Sequence, residues 1–169
     1  MSGEFLPHLF EEFTREHSRR TPAVSRKKTK SYDESLFRGK RILLAEDNEL
    51  NAEIAIAVLE EAGFTVEHAA DGIICVDMME KADAGYYDLI LMDIQMPNMD
   101  GYKATQTIRK LSDPKKAGIT IVAMTANAFE EDKTNAFRAG MNRHIAKPIK
   151  LDELMSALTE LLKEQARAL

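Results

Sequence analysis

Four places in the chain set a polar, chemistry-bearing residue directly after a short apolar run. Glu46-Asp47 follows Arg41–Ala45 (RILLA), and Asp93 follows Asp88–Met92 (DLILM). Thr125 follows Ile119–Met124 (ITIVAM), and Lys147 follows a brief run at about His144–Ala146. Three carboxylates brought into one pocket repel one another and are costly in apolar surroundings. A hard divalent cation resolves that repulsion, and an oxygen-only site with open positions suits Mg²⁺ or Mn²⁺. Lys147 adds a positive charge able to pair with Asp93 or with a phosphoryl oxygen. Thr125 offers a hydroxyl donor. A phosphoryl group on Asp93 would meet a metal, an ammonium and a hydroxyl, all stabilising charge on its equatorial oxygens. The attacking carboxylate is already ionised, so such chemistry needs no separate general base.

Each piece also has a plainer reading. Glu46-Asp47 could cap a following helix, Thr125 could bond to backbone at a strand end, and Lys147 before Pro148 could be a loop lysine. Asp93 could mark a structural turn. Agreement among four run ends favours the shared pocket, because the elements around them are of a kind that brings such ends together.

Those elements alternate. The RILLA run reads as a strand buried on both faces. A helix is expected over about Glu49–Ala62, with Leu50, Ile54, Ala57, Val58 and Glu61 at helical spacing and Gly63 closing it. Thr65–Ala69 reads as a second strand, and Asp71-Gly72 opens a helix to about Ala84. Asp88–Met92 is the most apolar strand. Gly101–Leu111 reads as a third helix, followed by a Ser-Asp-Pro loop and the strand Ile119–Met124. Helix four covers about Glu130–Ala139, closed by Gly140, and a short fifth strand lies at about His144–Ala146. The last helix, about Leu151–Lys163, carries Leu151, Leu154, Leu158, Leu161 and Leu162 as its buried stripe. Five strands alternating with five helices imply an α/β fold with a parallel sheet covered on both faces. In a parallel sheet the ends of all strands lie on one edge, which is where open α/β sheets place ligands.

Composition narrows the function classes. The 169 residues are 44% hydrophobic and 30% charged, as in ordinary globular proteins. No stretch has the length of a membrane-spanning helix, and the N-terminus lacks the apolar core of a signal peptide. One cysteine, Cys75, excludes an internal disulfide and a cysteine metal cluster, and fits a reducing cytoplasm. Residues 1–40 carry nine Lys or Arg against six Asp or Glu, a balance of +3, while the remainder stands at −8. The acidic part argues against nucleic-acid binding by the folded domain. The run Arg26, Lys27, Lys28 and Lys30, with Ser, Thr and Pro nearby, reads as a solvated linker.

The stretches "RILLAEDNELN", "YDLILMDIQMPNMDGY", "IVAMTAN" and "HIAKPI" resemble, in order and at the usual intervals, the signatures of response-regulator receiver domains. These are the phosphoacceptors of two-component signalling. The resemblance covers about Lys40–Lys163 and implies a flavodoxin-like (βα)5 three-layer sandwich with sheet order 2-1-3-4-5. It implies that Asp93 accepts a phosphoryl group from a histidine kinase or a histidine phosphotransfer domain, with Mg²⁺. Asp47 and Asp93 would bind the metal, with the backbone carbonyl of Gln95 as a third protein ligand and Glu46 acting through water. Thr125 and Lys147 match the hydroxyl and lysine that read the phosphoryl group. His144 takes the position of the switch aromatic behind Thr125, and Gln95 and Asn127 flank the pocket.

A second stretch, "GEFLPHLFEEFTRE" at Gly3–Glu16, resembles a segment of the ATP-binding domain of histidine kinases that precedes their glycine-rich lid. The glycines of that lid are absent. The expected organisation is therefore a kinase remnant over 1–18, a basic flexible linker over 19–39 and a receiver over 40–165, as in a piece of a hybrid sensor histidine kinase. With no output domain after the last helix, the expected output is a partner protein. Two rival functions come from other classes. A phosphohydrolase working through an aspartyl-phosphate needs a second acid two residues after the nucleophile, where this chain has Gln95. A phosphate-independent interaction module would lack the acceptor, a metal carboxylate or the lysine.

Overall fold

The computed structural model describes residues 32–126 and 129–169. The kinase-like stretch Gly3–Glu16, the basic run at Arg26–Lys30 and Asn127 lie outside the described residues. In chain order the elements are α1 (Glu34–Phe37), β1 (Arg41–Ala45), α2 (Glu49–Ala62), β2 (Thr65–Ala69), α3 (Gly72–Lys81) and β3 (Leu89–Asp93). There follow α4 (Gly101–Arg109), α5 (Pro114–Ala117), β4 (Thr120–Thr125), α6 (Glu130–Ala139), β5 (Arg143–Ala146) and α7 (Leu151–Arg167).

All five strands are parallel and ordered β2-β1-β3-β4-β5, as the receiver resemblance implies. Because side chains alternate across a strand, each apolar run feeds two cores. Ile42, Leu44, Leu89, Leu91, Val122 and Met124 pack with α2 and α7 on one face. Leu43, Ala45, Ile90, Met92, Ile121 and Ala123 pack with α3, α4 and α6 on the other. The central strand β3 is buried along its whole length. Gly63 and Gly140 close α2 and α6 in the left-handed region, at φ 113° and 105°, as their positions in the sequence predict.

The structure corrects three local expectations. The buried face of α2 is only partly the expected stripe: Val58 is buried and Ile54 half-buried, but Leu50, Ala57 and Glu61 are exposed, while Asn51, Ala52, Ala55, Leu59 and Ala62 are buried. The sheet accepts the small alanine face, which lets the helix backbone approach closely, so residue size outweighs hydropathy here. Four residues of the expected linker form α1, capped by the Asp33 side chain. Its Phe37 is fully buried and stacks on Phe64 with ring centroids 4.5 Å apart. Finally, α7 runs on to Arg167, and Gln165 donates to the Asp88 carbonyl and the Thr120 hydroxyl. Among the described residues no helix is long and apolar enough to cross a membrane.

Candidate functional site

The residues singled out from the sequence meet at the C-terminal edge of the sheet. Asp93 ends β3 and pairs with Met124, Thr125 ends β4 and pairs with Ala146, and Ala45, just before Glu46, pairs with Met92. Glu46, Asp47 and Asp93 each offer a carboxylate oxygen, and these oxygens lie within 4.8 Å of one another. Glu46 and Asp93 are 1% and 4% exposed, whereas Asp47 faces solvent. Lys147 Nζ donates to Asp93 Oδ1 at 3.0 Å and stands 3.8 Å from Glu46 Oε2. Its backbone N–H donates to the Thr125 carbonyl at 2.7 Å, and the Lys147-Pro148 peptide that follows is cis. Thr125 is buried.

Local sequence explains how each group is aimed. Asn48, not Glu46 or Asp47, caps α2: its side chain accepts the Asn51 N–H at 3.0 Å. That leaves the two acids to the pocket, with Glu46 Oε1 accepting the Asn48 N–H at 3.1 Å. After Asp93 the chain turns through Gln95, which lines a cleft of about 460 Å³ together with Asp47, Met96, Asp100 and Tyr102. Asn98, in the left-handed region at φ 66°, donates to Asp71 Oδ2 at 2.9 Å and so ties this loop to the start of α3. Gly101 opens α4 directly beneath the acceptor: a Cβ there would overlap the Asp93 carbonyl oxygen and come within 2.9 Å of Ile94 Cα.

Electrostatics show what the pocket lacks. Burial, and then the charge of Asp93, push the Glu46 carboxyl up to about 7 against the pull of Lys147. Burial raises Asp93 too, with Lys147 opposing. Glu46 Oε2 is buried without a hydrogen-bond partner. One ammonium thus faces two buried carboxylates and a third at the rim. An orphaned oxygen among crowded carboxylates is what an oxygen-ligated divalent cation satisfies. The donor set therefore fits Mg²⁺ or Mn²⁺.

His144 lies on β5 opposite Ala123, one pleat before the Thr125–Ala146 pair. Its ring sits edge-on to Phe137 of α6 at 6.1 Å, and its Nδ1 is buried without a hydrogen bond. Burial, followed by Lys133, holds its ring below the ordinary histidine value despite Glu130.

Three contributors were not legible as site residues. Gly101 acts through backbone geometry, and Asn98 through its left-handed turn and its side-chain bond to Asp71. His68 on β2 lies 2.7 Å through Nε2 from the Glu46 carbonyl oxygen. No pattern within β2 signals that contact, because it depends on which strand lies beside β1.

Comparison with known proteins agrees with this geometry. The family described as the response regulator receiver domain matches residues 42–159. Histidine protein kinase 1 of Candida albicans is 42% identical over 128 residues, covering 72% of this chain and 5% of that protein. Hybrid signal transduction histidine kinase K of Dictyostelium discoideum is 37% identical over 134 residues, covering 76% of this chain and 11% of that protein. The chain thus spans a small fraction of the curated relatives it matches. Among solved structures, the receiver domain of a sensor histidine kinase from Pseudomonas aeruginosa PAO1 is 41% identical with a TM-score of 0.66. It covers 74% of this chain and 98% of that one, and holds a magnesium ion in its active-site cleft. From its strand order to its acidic edge, this chain belongs to the response regulator receiver domain family of two-component phosphorelays.

Proposed function

We propose that Asp93 accepts a phosphoryl group from a phosphohistidine, borne by a histidine kinase or a histidine phosphotransfer domain. An Asp93 carboxylate oxygen attacks phosphorus, the P–N bond breaks, and the donor imidazole leaves with the electron pair and takes up a proton. The product is an acyl phosphate on Asp93. Glu46, Asp47 and Asp93, with the backbone carbonyl of Gln95, would hold Mg²⁺, or Mn²⁺ in its place. When bound, the cation neutralises charge gathering on the phosphoryl oxygens. Lys147 Nζ moves its hydrogen bond from the carboxylate to a phosphoryl oxygen, and the Thr125 hydroxyl donates to another. The observation that carries this reading is Lys147 Nζ at 3.0 Å from Asp93 Oδ1 inside a cluster of three carboxylates.

The modified state shifts an equilibrium between two arrangements of the β4–β5 face, with Thr125 and His144 as the moving side chains. Gln95, two residues past the acceptor, is an amide and supplies no acid for rapid hydrolysis, so the phosphoryl group turns over slowly. The kinase relatives support a hybrid histidine kinase as the parent protein, with a kinase remnant over 1–18, a linker over 19–39 whose Glu34–Phe37 turn packs on the receiver, and a receiver over 40–165. The cytoplasm is the fitting compartment.

The test is phosphotransfer from a labelled histidine phosphotransfer domain to wild-type protein and to Asp93→Asn. Wild type should take up base-labile label in the presence of Mg²⁺ and none in EDTA, and Asp93→Asn should take up none. Labelling that survives the substitution would remove Asp93 from its role.

A further inference from the structure

We infer that His68 is a positioning residue of the metal-binding loop: its ring pins the Glu46–Asp47 peptide and so sets the carboxylates that receive the cation. This rests on the reading that Glu46, Asp47 and Asp93 hold a divalent metal.

Glu46 is the first residue beyond the paired length of β1, whose last partners are Ala69 on β2 and Met92 on β3. Its N–H still donates to the Ala69 carbonyl, at 3.1 Å. Its own carbonyl has left the ladder, because the chain turns at Asp47 and Asn48 to enter α2. The His68 ring meets that carbonyl in place of a backbone partner, at 2.7 Å from Nε2. A carbonyl oxygen only accepts, so Nε2 must carry the hydrogen. A neutral ring then keeps its lone pair on Nδ1, and a protonated ring makes the same bond.

The consequence reaches the metal ligands through the backbone. A peptide group is a planar unit, so holding the Glu46 oxygen fixes the direction in which the Asp47 Cα leaves it. The Glu46 side chain has its own anchors in the Asn48 N–H and Lys147. Asp47 is the exposed member of the cluster, and its place depends on that peptide. The edge strand β2 thereby controls the geometry of a site to which it contributes no ligand.

Mn²⁺ affinity, measured by water-proton relaxation, and the thermal midpoint in EDTA should be compared in wild type, His68→Phe and His68→Gln. Phenylalanine keeps the ring without a donor, whereas the glutamine amide offers an N–H at comparable reach. His68→Phe should weaken Mn²⁺ binding about tenfold, the low end for outer-shell partners of metal ligands, and His68→Gln should restore most of it. In wild type, ¹⁵N spectra of the neutral ring should show the Nε2–H tautomer. Wild-type affinity in His68→Phe, equal weakening in both variants, or an Nδ1–H tautomer would each overturn the inference and leave the metal site standing. Failure of wild type itself to bind Mn²⁺ or Mg²⁺ would overturn the metal reading, and this inference with it.

Discussion

Glu46 links the pocket to pH, since burial and the adjacent Asp93 lift its carboxyl from an ordinary 4.5 to about 7. The native state therefore holds this proton more tightly than the unfolded chain, and stability falls with rising pH wherever that is so. In metal-free protein the penalty is absent below about 4.5 and complete above about 7. Urea midpoints in EDTA should decline across that window in wild type. Glu46→Gln should flatten the decline, leaving only the part due to Asp93, whose carboxyl burial raises in the same direction. An unchanged slope in the variant would place the tension elsewhere. Asp47, Asp93, Thr125 and Lys147 were legible individually because each stands where an apolar run stops. That Asn48 takes the capping role was not legible, since Asp47 and Asn48 are both competent caps.

Among the elements, the strands were the easiest to read and the helix faces the hardest. Runs such as Leu89–Met92 must be buried on both sides, so their identity follows from composition alone. Helix α2 offers two candidate faces, and the one rich in alanine lies against the sheet while Leu50 stays exposed. Helix α1 is only four residues long, too short to show a period. Its importance rests on Phe37, fully buried between Phe64 and the α2–α7 core. Phe37→Ala should destabilise the domain by about 3–5 kcal/mol, as for other large-to-small aromatic substitutions in cores. Urea denaturation of this variant checks the value. A loss below about 1 kcal/mol would mean that α1 is an appendage rather than part of the fold.

For the whole molecule, the sheet is a device for collecting side chains from distant parts of the sequence. Glu46 and Lys147 meet because β1, β3, β4 and β5 lie parallel and side by side, with Asp93 of β3 between them. A cation bound there stabilises the entire domain by mass action. Free Mg²⁺ at a hundredfold excess over its dissociation constant should add about 2.7 kcal/mol to unfolding stability. The added stability should vanish in Asp47→Asn, and an equal gain in that variant would show that the cation binds elsewhere. The sequence by itself determined the alternation of strands and helices, the parallel sheet and the set of residues at its edge, because those follow from one-dimensional periodicity and short-range turn chemistry. Only the tertiary structure decided that Phe37 enters the core, which face α2 buries, and that His68 holds the Glu46 carbonyl. Those depend on register between neighbouring strands and on the shape of the space a helix must fill, and neither is written in the spacing of any single segment.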